Sequence, residues 1–197
     1  MAEIDFKQEW IPHLVRPGWR TRGAIVLGTV LVGICAHIAV PLGFTPIPIT
    51  MQTFAVLLLG LLLGPGGAFF CLALYLGEGL AGMPVFSPHG PGGIAQLLGP
   101  TGGYLLSYPF AAACAGALYR LWHRRFWAAL AGAGLSSLVI LAAGATWLTV
   151  ISHANVSAVF SQSVAPFLAG DAIKVLAAAV CATILGSFNR TESHQTL

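Results

Sequence analysis

The sequence predicts an all-α integral membrane protein with six transmembrane helices and both termini in the cytoplasm. Of its 197 residues, 57% are hydrophobic and only 8% are charged, and the mean hydropathy is +0.84. Soluble domains carry roughly a quarter charged residues, so a water-soluble fold is excluded. Three segments lack Asp, Glu, Lys and Arg altogether: 23–77, 79–119 and 126–170. Each exceeds the roughly 20 residues that cross a bilayer, so each crosses more than once or carries long apolar loops.

The apolar runs indicate helices rather than a β-barrel. Runs such as 24–40 are continuous blocks of apolar residues, whereas the strands of a membrane barrel alternate between apolar and polar residues. The first 22 residues are rich in charge and lack the short apolar core of a cleavable signal peptide. We therefore expect the first span to be retained.

Glycine and proline clusters divide the apolar segments into six helices of about 20 residues. We place these helices at 22–40, 51–64, 66–83, 100–121, 126–151 and 166–188. The second helix is short and ends at the tight turn Gly64-Pro65-Gly66-Gly67. A proline-rich loop at 41–50, a Pro/Gly-rich stretch at 82–99 and a polar loop at 152–165 separate helices at the other end of the bundle.

The positions of Lys and Arg predict the orientation, because cytoplasmic loops carry an excess of these residues. With six spans, the basic residues before residue 23, those of the loop 120–125 and Arg190 all fall on one side. The expected organisation is a cytoplasmic N-terminal segment 1–21, a membrane domain 22–188 and a cytoplasmic tail 189–197. The protein is then a multi-pass protein of the cytoplasmic membrane, embedded in the lipid bilayer. The basic residues form no single patch, so nucleic acid binding is not expected.

Asp171 and Lys174 are the strongest candidates for a binding site. They lie three residues apart on one face of the last helix, within an otherwise apolar segment, so they can contact each other or one shared ligand. Ionisable side chains at membrane depth are costly and usually mark a ligand, ion or proton site. The alternative is an ion pair that neutralises itself and holds two helices together.

Two further polar segments enter helices on the same outer side. Gly99-Pro100-Thr101-Gly102-Gly103-Tyr104 opens the fourth helix, where Gly102 and Gly103 let a ligand approach free N–H groups and Tyr104 forms an aromatic wall. A close helix crossing explains these glycines equally well. Gln52 and Thr53 enter the second helix, and an amide suits a neutral polar ligand group. The alternative there is a helix cap by Thr50.

The remaining motifs exclude several other functions. The histidines and Glu78 have no metal-binding spacing, and the four cysteines each stand alone in an apolar segment, so neither a metal nor any other cofactor is expected. The sequence has no serine-hydrolase elbow and no phosphate loop of the Walker type. We therefore do not expect an enzyme. A small intramembrane enzyme that uses Asp171 and Lys174 as an acid/base pair is the remote alternative.

Four motifs together resemble the BioY family, the substrate-specific (S) components of energy-coupling factor (ECF) biotin transporters. The motifs are Phe44-Thr45-Pro46-Ile47-Pro48-Ile49-Thr50-Met51-Gln52-Thr53, Gly82-Met83-Pro84-Val85-Phe86, Gly92-Gly93 with the following Leu97-Leu98-Gly99-Pro100-Thr101-Gly102-Gly103-Tyr104-Leu105, and Pro166-Phe167-Leu168-Ala169-Gly170-Asp171-Ala172-Ile173-Lys174. In order and spacing the resemblance covers residues from about 24 to 185.

The resemblance implies high-affinity capture of biotin from outside the cell. It also implies that import needs a transmembrane coupling subunit and a pair of ATPases, which agrees with the lack of a nucleotide motif here. The acid and lysine of the family's final helix map onto Asp171 and Lys174, and its other binding segments map onto 50–53 and 99–104. The resemblance leaves open whether the chain forms a homo-oligomer.

We expect Asp171 to accept hydrogen bonds from the ureido N–H groups of biotin and Lys174 to donate to the ureido carbonyl. In a competing arrangement Lys174 pairs with the valerate carboxylate. Tyr104, and more weakly Phe86, are expected to pack against the bicyclic ring. An S component for another vitamin is the closest alternative function.

Overall fold

The computed structural model describes residues 19–194, with side chains from 22 to 186, as a bundle of helices. The elements in chain order are α1 Trp19–His37, β1 Ala39–Val40, β2 Ile49–Thr50, α2 Gln52–Leu80, α3 Gly93–Leu98, α4 Gly102–Leu121, α5 Phe126–Ser152, α6 Val156–Ser163 and α7 Ala165–His194. The strands β1 and β2 form a short antiparallel ladder that pairs Ala39 with Thr50 and Val40 with Ile49.

Helix α2 is a hairpin of two antiparallel limbs, 52–63 and 65–80. The side chains of Gln52 and Tyr75 are joined by a hydrogen bond of 2.7 Å, although 23 residues of straight helix would separate them by about 35 Å. The reversal occurs at Gly64, whose φ of 73° is left-handed, and Pro65 begins the second limb with a φ suited to a first helical turn. The turn expected at 64–67 is therefore confirmed, but it takes a single residue.

Glycines allow α2 to pack closely against its neighbours. A Cβ atom added at Gly60 would lie 2.6 Å from the Ala112 carbonyl oxygen, and one at Gly116 would lie 2.5 Å from that of Gly60. At Gly28 of α1 an added Cβ would lie 2.5 Å from the sulfur of Cys71. These small residues serve the internal bundle, as such pairs do in membrane helices.

Long-range hydrogen bonds show which loops lie together. Tyr104, near the start of α4, donates to the Ser163 carbonyl at 2.6 Å, and Trp147, near the end of α5, donates to the Gly99 carbonyl at 2.9 Å. At the opposite end, Arg120 donates to the Leu63 carbonyl at 3.2 Å. The bundle thus has one end formed by the long loops and another formed by the α2 reversal and the basic loop after α4.

The outer surface of the bundle is apolar. Large side chains such as Leu27, Phe110 and Ile173 are 65–71% exposed, which a soluble protein rarely tolerates over so wide an area. Three described helices are long and apolar enough to cross a membrane: Gln52–Leu80, Phe126–Ser152 and Ala165–Gly186. By length and composition, Gln52–Leu80 is one apolar stretch. Its reversal at Gly64 divides it into two separate limbs. The chain is a mostly helical, multi-pass membrane protein.

Some boundaries differ from the sequence expectation. Helix α1 begins at Trp19 rather than at 22, and α7 continues to His194 rather than ending at 188. The expected polar loop 152–165 contains α6, because Val156, Val159 and Phe160 share one face and Val159 is buried at 3% exposure. Of the expected cytoplasmic segments, 1–18 and 195–197 lie outside the described residues.

Candidate functional site

The loop-rich end of the bundle contains a narrow cavity. Its volume is about 40 Å³. Its polar lining residues are Thr50, Gln52, Thr53, Ser87, Gln96, Thr101, Asp171 and Lys174. Its apolar lining residues are Ile47, Pro48, Tyr104, Leu105, Tyr108, Ile140, Leu141 and Phe167. A few convergent polar groups in an apolar wall are typical of a small-molecule site.

Asp171 and Lys174 form a buried ion pair at this cavity. The Lys174 Nζ lies 2.9 Å from the Asp171 Oδ1, and the two residues are only 5% and 6% exposed. Ser137 of α5 donates to the other carboxylate oxygen at 3.2 Å. Because an ammonium has three protons, Lys174 keeps two that a ligand can use. The pair is neutral as a whole, which lowers the cost of burying it.

Gln52 is held by hydrogen bonds on both sides of its amide. The Nε2 donates to the Tyr75 hydroxyl at 2.7 Å, which itself donates to the Val85 carbonyl at 2.9 Å. The Oε1 accepts from the Thr50 hydroxyl at 3.1 Å. Thr50 also accepts from the Gln52 backbone N–H at 3.4 Å. The N-cap residue is Met51 and it makes no side-chain capping hydrogen bond, so Thr50 is not the helix cap, although it binds the first N–H of the helix. Gln52 and Thr53 both line the cavity.

Tyr104 provides an aromatic wall whose orientation is fixed. Its hydroxyl is tied to the Ser163 carbonyl, and its ring centroid lies 6.4 Å from that of Phe167. A side chain at Gly144 would collide with the Tyr104 ring. The ring thus packs between α5 and the start of α7.

Gly102 and Gly103 lie against protein rather than in the cavity wall. A Cβ at Gly102 would collide with the Leu97 carbonyl, and one at Gly103 would meet the Trp147 side chain and lie 2.6 Å from the Ala143 carbonyl oxygen. Neither glycine is among the lining residues. Their geometry matches the close-crossing interpretation.

Phe86 also lies behind the cavity wall. It is buried at 4% exposure, its ring meets the Tyr75 ring edge-on with centroids 5.5 Å apart, and it occupies the space that a side chain at Gly79 would need. Phe86 fills a niche against the second limb of α2. The structure does not bring it to the cavity with the other candidates.

The sequence expectation missed several lining residues on the loop between α2 and α4. Gln96 of α3 is 2% exposed and accepts from the Gly92 N–H at 3.2 Å, and Thr101 and Ser87 line the same side. These residues stand singly in a Pro/Gly-rich stretch, where no periodicity indicates which side chains turn inward. Among the described residues no group of three His, Cys, Asp or Glu side chains is arranged to hold a metal.

Comparison with known proteins identifies the family. Residues 13–190 match the model of the BioY family. The chain is 38% identical to a probable biotin transporter BioY of Pyrococcus horikoshii, over 80% of this chain and 91% of that protein. It is 36% identical to a biotin transporter BioY of Thermotoga maritima, over 78% and 88%.

A solved structure has the same fold. The S-component for biotin from an ECF-type ABC transporter superposes with a TM-score of 0.79 at 26% identity, over 85% of this chain and 91% of that chain. These matches extend across the helices that build the cavity, from α1 to α7. The chain belongs to the BioY family.

Proposed function

We propose that this chain captures biotin and serves its uptake as the substrate-specific component of an ECF transporter. The observation that carries this proposal is the buried Asp171–Lys174 pair in a small cavity of a chain that belongs to the BioY family. The relatives named above are biotin transporters, and the superposed structure is an S-component for biotin. Members of such a family are transporter components, so the chain is not an enzyme.

The chemistry of biotin suits the polar groups of the cavity. Its ureido ring has two N–H donors and one carbonyl acceptor. Asp171 accepts from the N–H groups, and Lys174 donates one of its remaining protons to the carbonyl, which makes charge-assisted hydrogen bonds away from water. Tyr104, with Phe167 beside it, packs against the bicyclic ring. In the competing arrangement Lys174 instead binds the valerate carboxylate.

Capture closes the loops around the ligand. The cavity is small, and biotin enters when the lid segments 45–49 and 87–93 move apart. Closure over the ligand then excludes water and strengthens the hydrogen bonds inside.

The membrane arrangement that we propose has six spans, in which the two limbs of α2 count separately. Both termini lie in the cytoplasm, with the segment 1–21 before the membrane domain 22–188 and the tail 189–197 after it. The cavity then opens to the outside of the cytoplasmic membrane, because the basic loop after α4 lies at the opposite end of the bundle. That arrangement agrees with the excess of Lys and Arg on the cytoplasmic side.

Release to the inside needs partners, which we propose are the coupling subunit and ATPase pair of an ECF transporter. A surface for a membrane partner is available on α1, where Leu27, Val30 and Ile34 are more than half exposed. Gly28, on the same helix, does not contribute to that surface, because it packs against α2. Lipid covers the remaining apolar faces.

Isothermal titration of the detergent-purified chain with biotin tests the binding function. We expect tight binding by the parent and affinities lower by roughly 10- to 100-fold for Asp171→Asn and Lys174→Ala, since each loses a hydrogen bond between charged groups and ligand. Each variant must first be confirmed to be folded by its thermal unfolding.

Glu78→Gln provides the matched control. Glu78 is a partly buried carboxylate that accepts from Thr29 at 3.0 Å and does not line the cavity. The glutamine can still accept that hydrogen bond, so we expect unchanged affinity. A folded parent that binds no biotin would reject the proposed function and direct the search to another vitamin.

A further inference from the structure

Ser87 carries a buried hydroxyl that no described residue satisfies. The residue is 4% exposed, it lines the cavity, and its Oγ makes no hydrogen bond within the described part of the chain. Buried polar atoms without a partner are rare and costly in folded proteins. A group of this kind in a cavity wall indicates that a ligand completes its hydrogen bonding.

The two residues that precede Ser87 are anchored to α2, so the position of Ser87 is built rather than incidental. The preceding Val85 carbonyl accepts from the Tyr75 hydroxyl at 2.9 Å, and Phe86 fills the niche at Gly79. The Ser87 carbonyl accepts from the Gly90 N–H at 3.2 Å, which closes a β-turn with Pro88 at its second position. A serine that opens such a turn often bonds to the turn's own backbone, but the Ser87 hydroxyl does not.

The two charged residues of the cavity determine which group of the ligand is left to form a hydrogen bond with Ser87. Asp171 is the one acid and Lys174 the one cation among the described lining residues, and in the first of the two arrangements proposed above both bind the ureido ring. The valerate carboxylate then needs neutral donors. Ser87 lies on the loop between α2 and α3, whereas Asp171 and Lys174 lie on the second and third turns of α7. A ligand whose ureido ring binds the pair can therefore extend its flexible tail toward the loop.

We propose that the Ser87 hydroxyl donates a hydrogen bond to the carboxylate of the bound ligand, with Tyr75 and Phe86 holding the segment that presents it. This inference rests on the proposed function, because it takes biotin as the ligand. It makes Ser87 a specificity-determining residue that distinguishes the acid from neutral derivatives. Tyr75 is fully buried and does not line the cavity, so it is a positioning residue.

The test compares biotin with its neutral carboxamide on the parent and on Ser87→Ala, by isothermal titration. A hydroxyl bonds a carboxylate more strongly than an amide oxygen. We expect Ser87→Ala to weaken biotin binding by about tenfold or more and carboxamide binding by about threefold or less. Equal losses for both ligands, or no loss for biotin, would overturn the assignment.

Ser136→Ala is the matched control. Its hydroxyl is also buried and without a described partner, but Ser136 does not line the cavity, so we expect both affinities to match the parent. A loss as large as that of Ser87→Ala would show a general packing effect and overturn the proposal.

The ligand-free protein gives a second readout that separates binding from folding. Removing an unpaired buried hydroxyl costs no hydrogen bond, so Ser87→Ala should unfold at the same temperature as the parent or slightly higher. A clear drop would show that Ser87 has a structural partner and would contradict the inference. If the folded parent binds no biotin at all, the proposed function is rejected as well. If the parent binds biotin and Ser87→Ala binds it with the same affinity, only the role of Ser87 is rejected.

Discussion

Without a ligand, the buried charges of Asp171 and Lys174 neutralise each other. They are buried side by side at 2.9 Å, and the described lining offers no other charge. Burying a single unpaired charge costs far more than burying a neutral pair. At this scale the candidate site is also a costly part of the fold.

We expect Lys174→Met alone to lower the free energy of unfolding by about 3–5 kcal/mol, because it leaves the Asp171 carboxylate buried and unpaired. The double variant Asp171→Asn, Lys174→Met should recover most of this loss. Thermal unfolding of the ligand-free proteins in detergent measures the coupling between the two sites. Losses that simply add would argue against the pair.

Three buried serines have different roles, and the surroundings of each side chain determine its role. Ser137 donates to the Asp171 carboxylate, Ser87 lines the cavity and Ser136 lies away from it. All three are buried. Their sequence context alone, a Pro/Gly-rich loop for one and an apolar helix for two, does not separate these environments.

At the scale of an element, the reversal of α2 is the feature on which the site most depends. It brings Gln52 to Tyr75, and Tyr75 in turn fixes the loop that carries Ser87. The reversal requires a left-handed residue at 64 that leaves room for the Arg120 guanidinium. Glycine is the residue that meets both conditions at little cost.

Gly64→Ala should therefore destabilise the protein by about 1–3 kcal/mol, from backbone strain and from the collision with Arg120. Gly77→Ala is the control: Gly77 lies within the second limb of α2, and an added Cβ meets nothing within 4 Å, so alanine should be neutral or slightly stabilising. Thermal unfolding of both variants in detergent measures the difference. Equal stability of the two variants would show that the reversal does not need glycine.

At the scale of the whole molecule, the long loops and the cavity lie at one end and the basic residues of the described chain mainly at the other. Arg120 lies in the last turn of α4, and Arg124 and Arg125 follow that helix, while the polar lining residues lie toward the loops. This polarity is what orients a helical protein in the membrane. In the arrangement that we propose, it would also separate the candidate site from the side on which ATP is available.

Labelling with a membrane-impermeant maleimide tests this orientation in intact cells that express a cysteine-free parent. A cysteine introduced by Gly43→Cys should react from outside, because Gly43 is exposed in the loop between β1 and β2 with open space around it. One introduced by Trp122→Cys, which is 47% exposed near the basic loop, should react only after the membrane is permeabilised. The reverse pattern would reject the proposed orientation, and labelling of both from outside would reject the six-span arrangement.

The sequence by itself determined the class of the protein and most of its helices. Continuous apolar runs that are interrupted by glycine and proline specify membrane helices locally, without reference to other parts of the chain. It also identified Asp171 and Lys174, because two ionisable residues on one face of an apolar helix are too costly to be incidental. The four motifs indicated the BioY family, which the comparisons confirm.

Only the tertiary structure decided which polar and small residues face the cavity. Phe86, Gly102 and Gly103 pack against protein, while Ser87 and Gln96 line the cavity. These roles depend on contacts between segments far apart in the sequence, such as that between Tyr75 and Val85 across the reversal and the loop. A local pattern records which residues are apolar or flexible, but the partner of each side chain is set by how the helices pack, and that is a property of the whole bundle.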